Sequence, residues 1–482
     1  MEELDEVIVD FTKENFFNYI EDSTLKYSDS ISVRNDPKLI YLYNYFKHLR
    51  ARYIIAEKNY VDKDYSIDYS LFYSRSFFPY NKKCLRLSFF SGKNTKEKIT
   101  SIIRDFDKRV LEDISGNFLG FIVIKPLAER YVGRTVLRTY PNEDKRKKII
   151  RIFPRLANYQ ASLYGMPLRI NSVAFQEQDK AVSACATVAL WVALHKLRDL
   201  FNTPLLSPSE ITLESGKNFP LLGRIFPSEG LNAYQIVSFL KKIDLEIQYI
   251  DMEERGQIFD NNDKVKILLF SYLKFGLPVI IKLKLCTHDQ TRTAYHAATI
   301  LGYNLVTGEK EADLIKKKKK NYFFYESDLI EEFYIHDDQI GPFARSKFRE
   351  EKYCLENEWL KTEWDEIMID DLIIPLYHKI RLSFFSVYRY AELNLKMTLI
   401  KAGEKNNTWF KASIYLADVN QYKEEILKLG LLKGSKRIDL LTKSLPKFLW
   451  VLRVFNENKL IFDCIFDATD LREIPSYYFD FQ

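Results

Sequence analysis

The order of apolar and polar positions along the chain predicts a mixture of helices and strands. Residues 36–58 carry apolar side chains at helical spacing, with Pro37 suited to a first turn, and predict one helix. Residues 95–114 predict a second helix, and the apolar run 118–124 (FLGFIVI) a strand that stops before Pro126. Residues 183–201 are apolar nearly all round as far as His195, the mark of a helix buried inside a domain. Further helices are expected over 233–242, with Asn232 as cap, and over 264–275, ended by Gly276. Residues 278–285 and 294–303 read as strands, and 323–337 holds one or two more. Residues 370–393 read as a long apolar helix interrupted at Pro375. Residues 409–416 then read as a strand, 420–429 as a helix, and 448–454 with 460–466 as a hairpin turning at Asn456-Glu457-Asn458.

This succession gives an α+β fold in three parts: an N-terminal mixed α/β domain (1–170), a central domain (171–350) and a C-terminal α/β domain (351–482). A chain of 482 residues with 46% apolar content can bury large cores. The charges, 72 Lys and Arg against 66 Asp and Glu, leave only +6, too weak and too dispersed for a dedicated nucleic-acid binder. The five cysteines are far apart in sequence, which excludes a local zinc knuckle and disfavours a disulfide framework. The amino-terminal stretch MEELDEVIVDF is acidic rather than signal-like, and no long uninterrupted apolar run suggests a membrane span. These features predict a cytoplasmic protein in a reducing compartment. The lysine run 316–320 reads as a solvated loop tip. Neither GxxxxGK[ST] nor GxGxxG occurs, so nucleotide chemistry finds no support.

Candidate chemistry centres on Gln178-Asp179-Lys180-Ala181-Val182-Ser183-Ala184-Cys185. Cys185 opens the apolar helix, where free amides and the helix dipole favour a thiolate and could receive an oxyanion. Gln178 offers a natural second N–H donor, with Gln176 as its substitute. Such a thiol needs a proton acceptor, and His296, 111 residues on, enters a predicted strand that ends in Gly302-Tyr303. A third group should hold the imidazole. Strand alternation favours Asp337, on the face of Ile335, with Asp338 as its substitute. Taken alone, Cys185 would be an ordinary buried residue, and either aspartate a turn carboxylate. His195 lies nearly three turns along the Cys185 helix and reads as structural. His336 should face away from Asp337, and His288 reads as a surface residue. A metal site made from His288, His296 and His336 with Asp338 is a minor alternative.

The order Gln, Cys at a helix start, His before a strand ending in Gly-Tyr, then Asp at a strand end resembles papain-like cysteine peptidases. The likeness is strongest to the C39-type branch, the bacterial bacteriocin-processing peptidases, and covers about 171–345. Gly230-Leu231 before a helix and Leu277-Pro278-Val279-Ile280 also resemble that branch. The resemblance implies a papain-like core with Cys185 as nucleophile, His296 as general base and acid, Asp337 as the orienting residue and Gln178 as oxyanion donor. It implies no cofactor and a protein or peptide substrate, and the size of the flanking domains suggests recognition of a protein substrate or a regulating partner. This chain departs from the pattern at Ala186, where Gly or Trp is usual, in a Gln–Cys gap longer by one, and in Asp337-Asp338 where Asp-Pro is frequent. An isopeptidase, a deamidase, a transglutaminase-like enzyme or a catalytically silent binding subunit could use the same framework.

Overall fold

The computed structural model describes residues 7–24, 30–179, 181–217, 225–254, 259–319, 321–430 and 434–481. Lys180, Lys320 and residues 1–6 of the acidic amino-terminal stretch lie outside them. The chain is a mixed α+β fold whose sheets are mostly antiparallel. The amino-terminal sheet is a five-stranded ladder in chain order: Ile8–Asp10, Tyr53–Tyr60, Cys84–Phe90, Phe118–Ile124 and Val132–Leu137. A central sheet runs Leu245–Asp251, Glu366–Tyr377, Val279–Cys286, Thr293–Val306, Ile330–Asp337, Gly341–Phe348 and Leu355–Glu356, with Ile149–Ile152 paired to the far end of Thr293–Val306. The carboxy-terminal sheet runs Phe323–Tyr325, Phe410–Asp418, Phe448–Asn456, Lys459–Asp467 and Tyr477–Asp480, its first pair parallel.

The sheets cross the expected boundaries at 170 and 350. The central sheet takes Ile149–Ile152 from before the first and Glu366–Tyr377 from after the second, while Phe323–Tyr325 joins the carboxy-terminal sheet. One apolar core accordingly extends from Ile8 through the central sheet to Trp450, Leu452 and Phe466. A smaller core around Tyr415, Tyr422 and Val451 covers the other face of the carboxy-terminal sheet.

Four expected elements take another form. The single helix over 36–58 is a helix, Pro37–His48, followed by the strand Tyr53–Tyr60. The Asp36 carboxylate caps the helix by accepting from the amides of Lys38 and Leu39, and Arg50 turns the chain at φ 61°. Tyr53, Ile54 and Ile55 satisfy a helical pattern in sequence, but pairing with Phe90, Phe89 and Ser88 makes them a strand. The helix over 95–114 breaks into Thr95–Arg104 and Lys108–Asn117, the second opened by Asp107 accepting from the Arg109 amide. The long helix over 370–393 is the strand Glu366–Tyr377 and a short helix Phe384–Tyr390. Pro375 faces Ile247 on one side, whereas pairing on the other side ends at Ile373, so its missing N–H breaks no ladder bond there. Residues 316–319 of the lysine run belong to the helix Glu309–Lys319 instead of a loop tip, and Lys318 pairs with Asp263 at 2.9 Å and Asp328 at 3.2 Å.

The predicted helices at 183–201, 233–242 and 264–275 form as Cys185–Phe201, Ala233–Lys242 and Asn262–Leu273. The first lies against the strand Thr293–Val306, where Thr299 Oγ1 donates to the Ala189 carbonyl at 3.0 Å. Asn232 caps the second in a capping box with Gln235. Among the described residues no helix is long and apolar enough to cross a membrane.

Candidate active site

Cys185 is the first residue of the buried helix Cys185–Phe201, so the amides of that first turn have no partner within the helix. The turn before it is built on Asp179. Asp179 Oδ1 accepts from the amides of Ala181, Val182 and Ser183 at 3.0, 2.9 and 3.0 Å. Its other oxygen accepts from the Tyr73 hydroxyl at 2.8 Å, with Lys125 Nζ at 3.9 Å. A buried carboxylate thus aims the chain into the helix from a fixed direction.

His296 stands on Thr293–Val306 opposite Leu283. Its side chain faces Cys185, with which it lines one cavity, and its Nε2 lies 3.0 Å from Asp337 Oδ1. Because Nε2 is engaged by the carboxylate, Nδ1 is the ring nitrogen left to face the thiol. Asp337 ends the strand Ile330–Asp337 and is held from three further directions. Its Oδ1 accepts from the amides of Gln339 and Ile340 at 3.0 and 3.2 Å, and its Oδ2 from the Trp359 indole at 2.8 Å. The Trp359 ring also lies against the imidazole, centroids 5.0 Å apart.

Asp338 follows in the turn. Its Oδ1 is 3.6 Å from His296 Nε2 and its carboxylate faces the Gln178 amide, but neither oxygen has a close hydrogen-bond partner. Behind it lies Glu177, which is wholly buried, accepts from the Val132 amide at 3.2 Å, and pairs with Lys38 at 2.8 Å and Arg130 at 3.4 Å.

The electrostatics follow from this packing. Burial by itself pushes the His296 pKa down, but the charge and hydrogen bond of Asp337, the contact with Cys185 and the charge of Asp338 hold it well above the ordinary histidine range. Burial pushes Asp337 up, but the imidazole and the hydrogen bonds from His296, Trp359 and Gln339 hold it below the usual carboxylate range. Asp338 is pushed up by burial and by the charges of Asp337 and Glu177, and only the imidazole and the Gln178 amide oppose this.

A cavity of about 250 Å³ opens at Cys185 and His296. Leu231, Ile236, Ile280 and Ile373 supply apolar walls, and Glu229, Lys282, Tyr295 and Asp371 polar ones. A second hollow of about 630 Å³ is lined in part by Lys38, Arg130, Gln339, Ile340 and Trp359.

Of the residues singled out in the sequence, Cys185, His296 and Asp337 come together, and Asp338 joins them at longer range. Gln178 reaches the group through its main-chain amide, and neither it nor Gln176 lines the cavity at the thiol. Gln176 is buried with its Nε2 unpartnered among the described residues. His195 is structural: it is buried beside Trp191, and its Nδ1 lies 3.1 Å from the Tyr159 hydroxyl. His336 turns away from Asp337 to pack against Phe175 and Phe343. The metal set of His288, His296, His336 and Asp338 is not assembled. The cluster close enough to share an ion, among the described residues, is His296, Asp337 and Asp338. Sequence reasoning missed Trp359, whose segment carries no motif. It also passed over Asp179, although an Asp two residues before a string of amides that open a helix is an Asx-turn signal.

No protein-family model matches the chain, and no curated protein matches it.

Proposed function

We propose that the chain is a cysteine hydrolase with a papain-like core that cleaves an amide bond in a protein or peptide through a thioester. The observation that carries this reading is the contact of Cys185, at the start of a buried helix, with an imidazole whose other nitrogen is bound to Asp337. In this reaction the Cys185 sulfur attacks the carbonyl carbon and a C–S bond forms. The oxyanion rests on the free amides of the first turn of the Cys185 helix, since Gln178 does not line the cavity at the thiol. His296 gives its Nδ1 proton to the leaving nitrogen as the C–N bond breaks. Water attacks the thioester, losing a proton to His296, and the acid product leaves. Asp337 keeps the ring oriented and the imidazolium stable throughout. These steps call on no cofactor.

Convergence of the three groups supports an acyl-transfer enzyme over a silent binding subunit. An isopeptidase, deamidase or transglutaminase-like enzyme shares the first half of this mechanism, and the mass of the product separates them. The direct test is covalent labelling with a thiol-directed peptide warhead. Wild type is expected to be modified at Cys185, Cys185→Ala to be unmodified with its fold intact, and His296→Ala to react more slowly by a factor on the order of 10²–10⁴. Equal labelling of wild type and Cys185→Ala overturns the assignment.

A further inference from the structure

Asp338 poses a physical problem that the hydrolytic reading leaves unsolved. It is 2% exposed, neither carboxylate oxygen has a close hydrogen-bond partner among the described residues although the Gln178 amide faces it, and it adjoins a second buried carboxylate. Lys38 and Arg130 are engaged with Glu177. Among the described residues the ion-pair partner of an ionised Asp338 is the His296 ring, 3.6 Å away and already bound to Asp337. Such a charge is retained in a protein interior only with a proton or a cation beside it.

The positions of the donor atoms favour a cation. His296 Nε2 lies 3.0 Å from Asp337 Oδ1 and 3.6 Å from Asp338 Oδ1, and one donor atom from each of the three residues lies within 4.8 Å of the others. Two ligands bound at about 2.0–2.1 Å across a tetrahedral angle stand roughly 3.3 Å apart, a value between those two separations. One imidazole and two carboxylates match the donor preferences of zinc better than those of calcium or magnesium, which take oxygen shells. The hollow lined by Gln339, Ile340 and Trp359 borders residues that hydrogen-bond Asp337, and Cys185 is not part of its lining.

We propose that His296, Asp337 and Asp338 form an inhibitory site for a zinc-type divalent ion, with solvent completing its coordination. Metal binding stands on the donor geometry alone, whereas its effect on turnover rests on the hydrolase reading above. The ion takes the place of the Nε2 proton, which is released to solvent, and binding therefore tightens as pH rises. A metal on Nε2 leaves the ring a single proton, on Nδ1. The imidazolium cannot form, so the ring cannot accept the thiol proton and acyl transfer stops.

The test uses the full-length chain carrying Cys185→Ala, which removes the thiol as a competing ligand. Titration with Co²⁺ is expected to give the visible absorption of a four-coordinate cobalt site at one equivalent, and Zn²⁺ to abolish it. Adding Asp338→Asn is expected to weaken cobalt binding at least tenfold with the circular dichroism spectrum unchanged. Should that variant not fold, anomalous scattering from zinc in crystals of Cys185→Ala locates the ion directly, and density between the three side chains is the expected result. Absence of cobalt binding, binding that Asp338→Asn leaves intact, or binding that requires Cys185 overturns the site. In wild type, Zn²⁺ is expected to slow labelling of Cys185 by the peptide warhead, and an unchanged rate with the site occupied overturns the inhibitory role. Failure of the warhead to label Cys185 in metal-free protein sinks the hydrolase reading alone and leaves the cobalt result standing.

Discussion

At the scale of single residues, the site depends on how much negative charge surrounds one imidazole. Asp337 is fixed by two amides and an indole before it meets His296, so little of its orientation is lost to side-chain freedom. Its charge holds His296 protonated above the ordinary histidine range. The sign of the pH dependence follows. A raised histidine pKa stabilises the fold below the unfolded value near 6.5, and this stabilisation is lost as pH rises through the folded pKa. Asp337→Asn removes the principal anion, so the alkaline limb of Cys185 alkylation should move to lower pH, with the rate at pH 8 falling roughly tenfold or more. A rate–pH profile with iodoacetamide measures both, and an unshifted limb would show that another group sustains the imidazolium. Trp359→Phe keeps the ring over His296 but removes the N–H to Asp337 Oδ2. A carboxylate that loses a donor keeps its charge and gains basicity, so the same limb should stay in place or move to higher pH, opposite to Asp337→Asn.

At the scale of elements, the turn 179–183 connects sequence to chemistry. Three consecutive amides converge on Asp179 Oδ1, and they are what lets Cys185 start a helix from an Ala184 cap that offers no side-chain acceptor. Asp179→Ala leaves these donors without their partner. The expected loss of stability is about 1–3 kcal/mol, read from denaturant midpoints, together with slower labelling of Cys185. The hairpin after Asp337 has a comparable constraint at Gly341. Its φ is +149°, and a Cβ there would stand 2.4 Å from the Tyr41 ring, so Ala is excluded by space as well as by conformation. Tyr41 also donates to the Pro342 carbonyl at 2.8 Å, and in this way the helix Pro37–His48 braces the turn that carries Asp337 and Asp338. The helices that contain a strong local signal, an apolar face with a cap, were legible in the sequence. The strands Tyr53–Tyr60 and Glu366–Tyr377 were not, because their apolar runs fit either period and only the neighbouring strands decide between them.

At the scale of the whole molecule, the cleft strand Val279–Cys286 is held on one side by the His296 strand and on the other by Glu366–Tyr377. A fragment spanning 171–350 lacks that second neighbour and also lacks Ile149–Ile152. It should therefore show no cooperative thermal transition, whereas the full chain should; differential scanning calorimetry on both decides it. The sequence by itself determined the chemical proposal: a thiol at the start of an apolar helix, a histidine entering a strand and an aspartate ending one are local patterns, each written within a few residues. It also determined the α+β class, because caps and strand runs are local too. Tertiary structure decided what no local pattern contains. It brought the helix start and the two strands together, chose Asp337 for the close contact while leaving Asp338 buried at longer range, and placed Trp359 beside the pair. It also drew the central sheet from both sides of the expected boundaries. The physical reason is that helix starts and strand periods follow from neighbours in sequence, whereas sheet membership and the balance of buried charge depend on residues far apart in the chain.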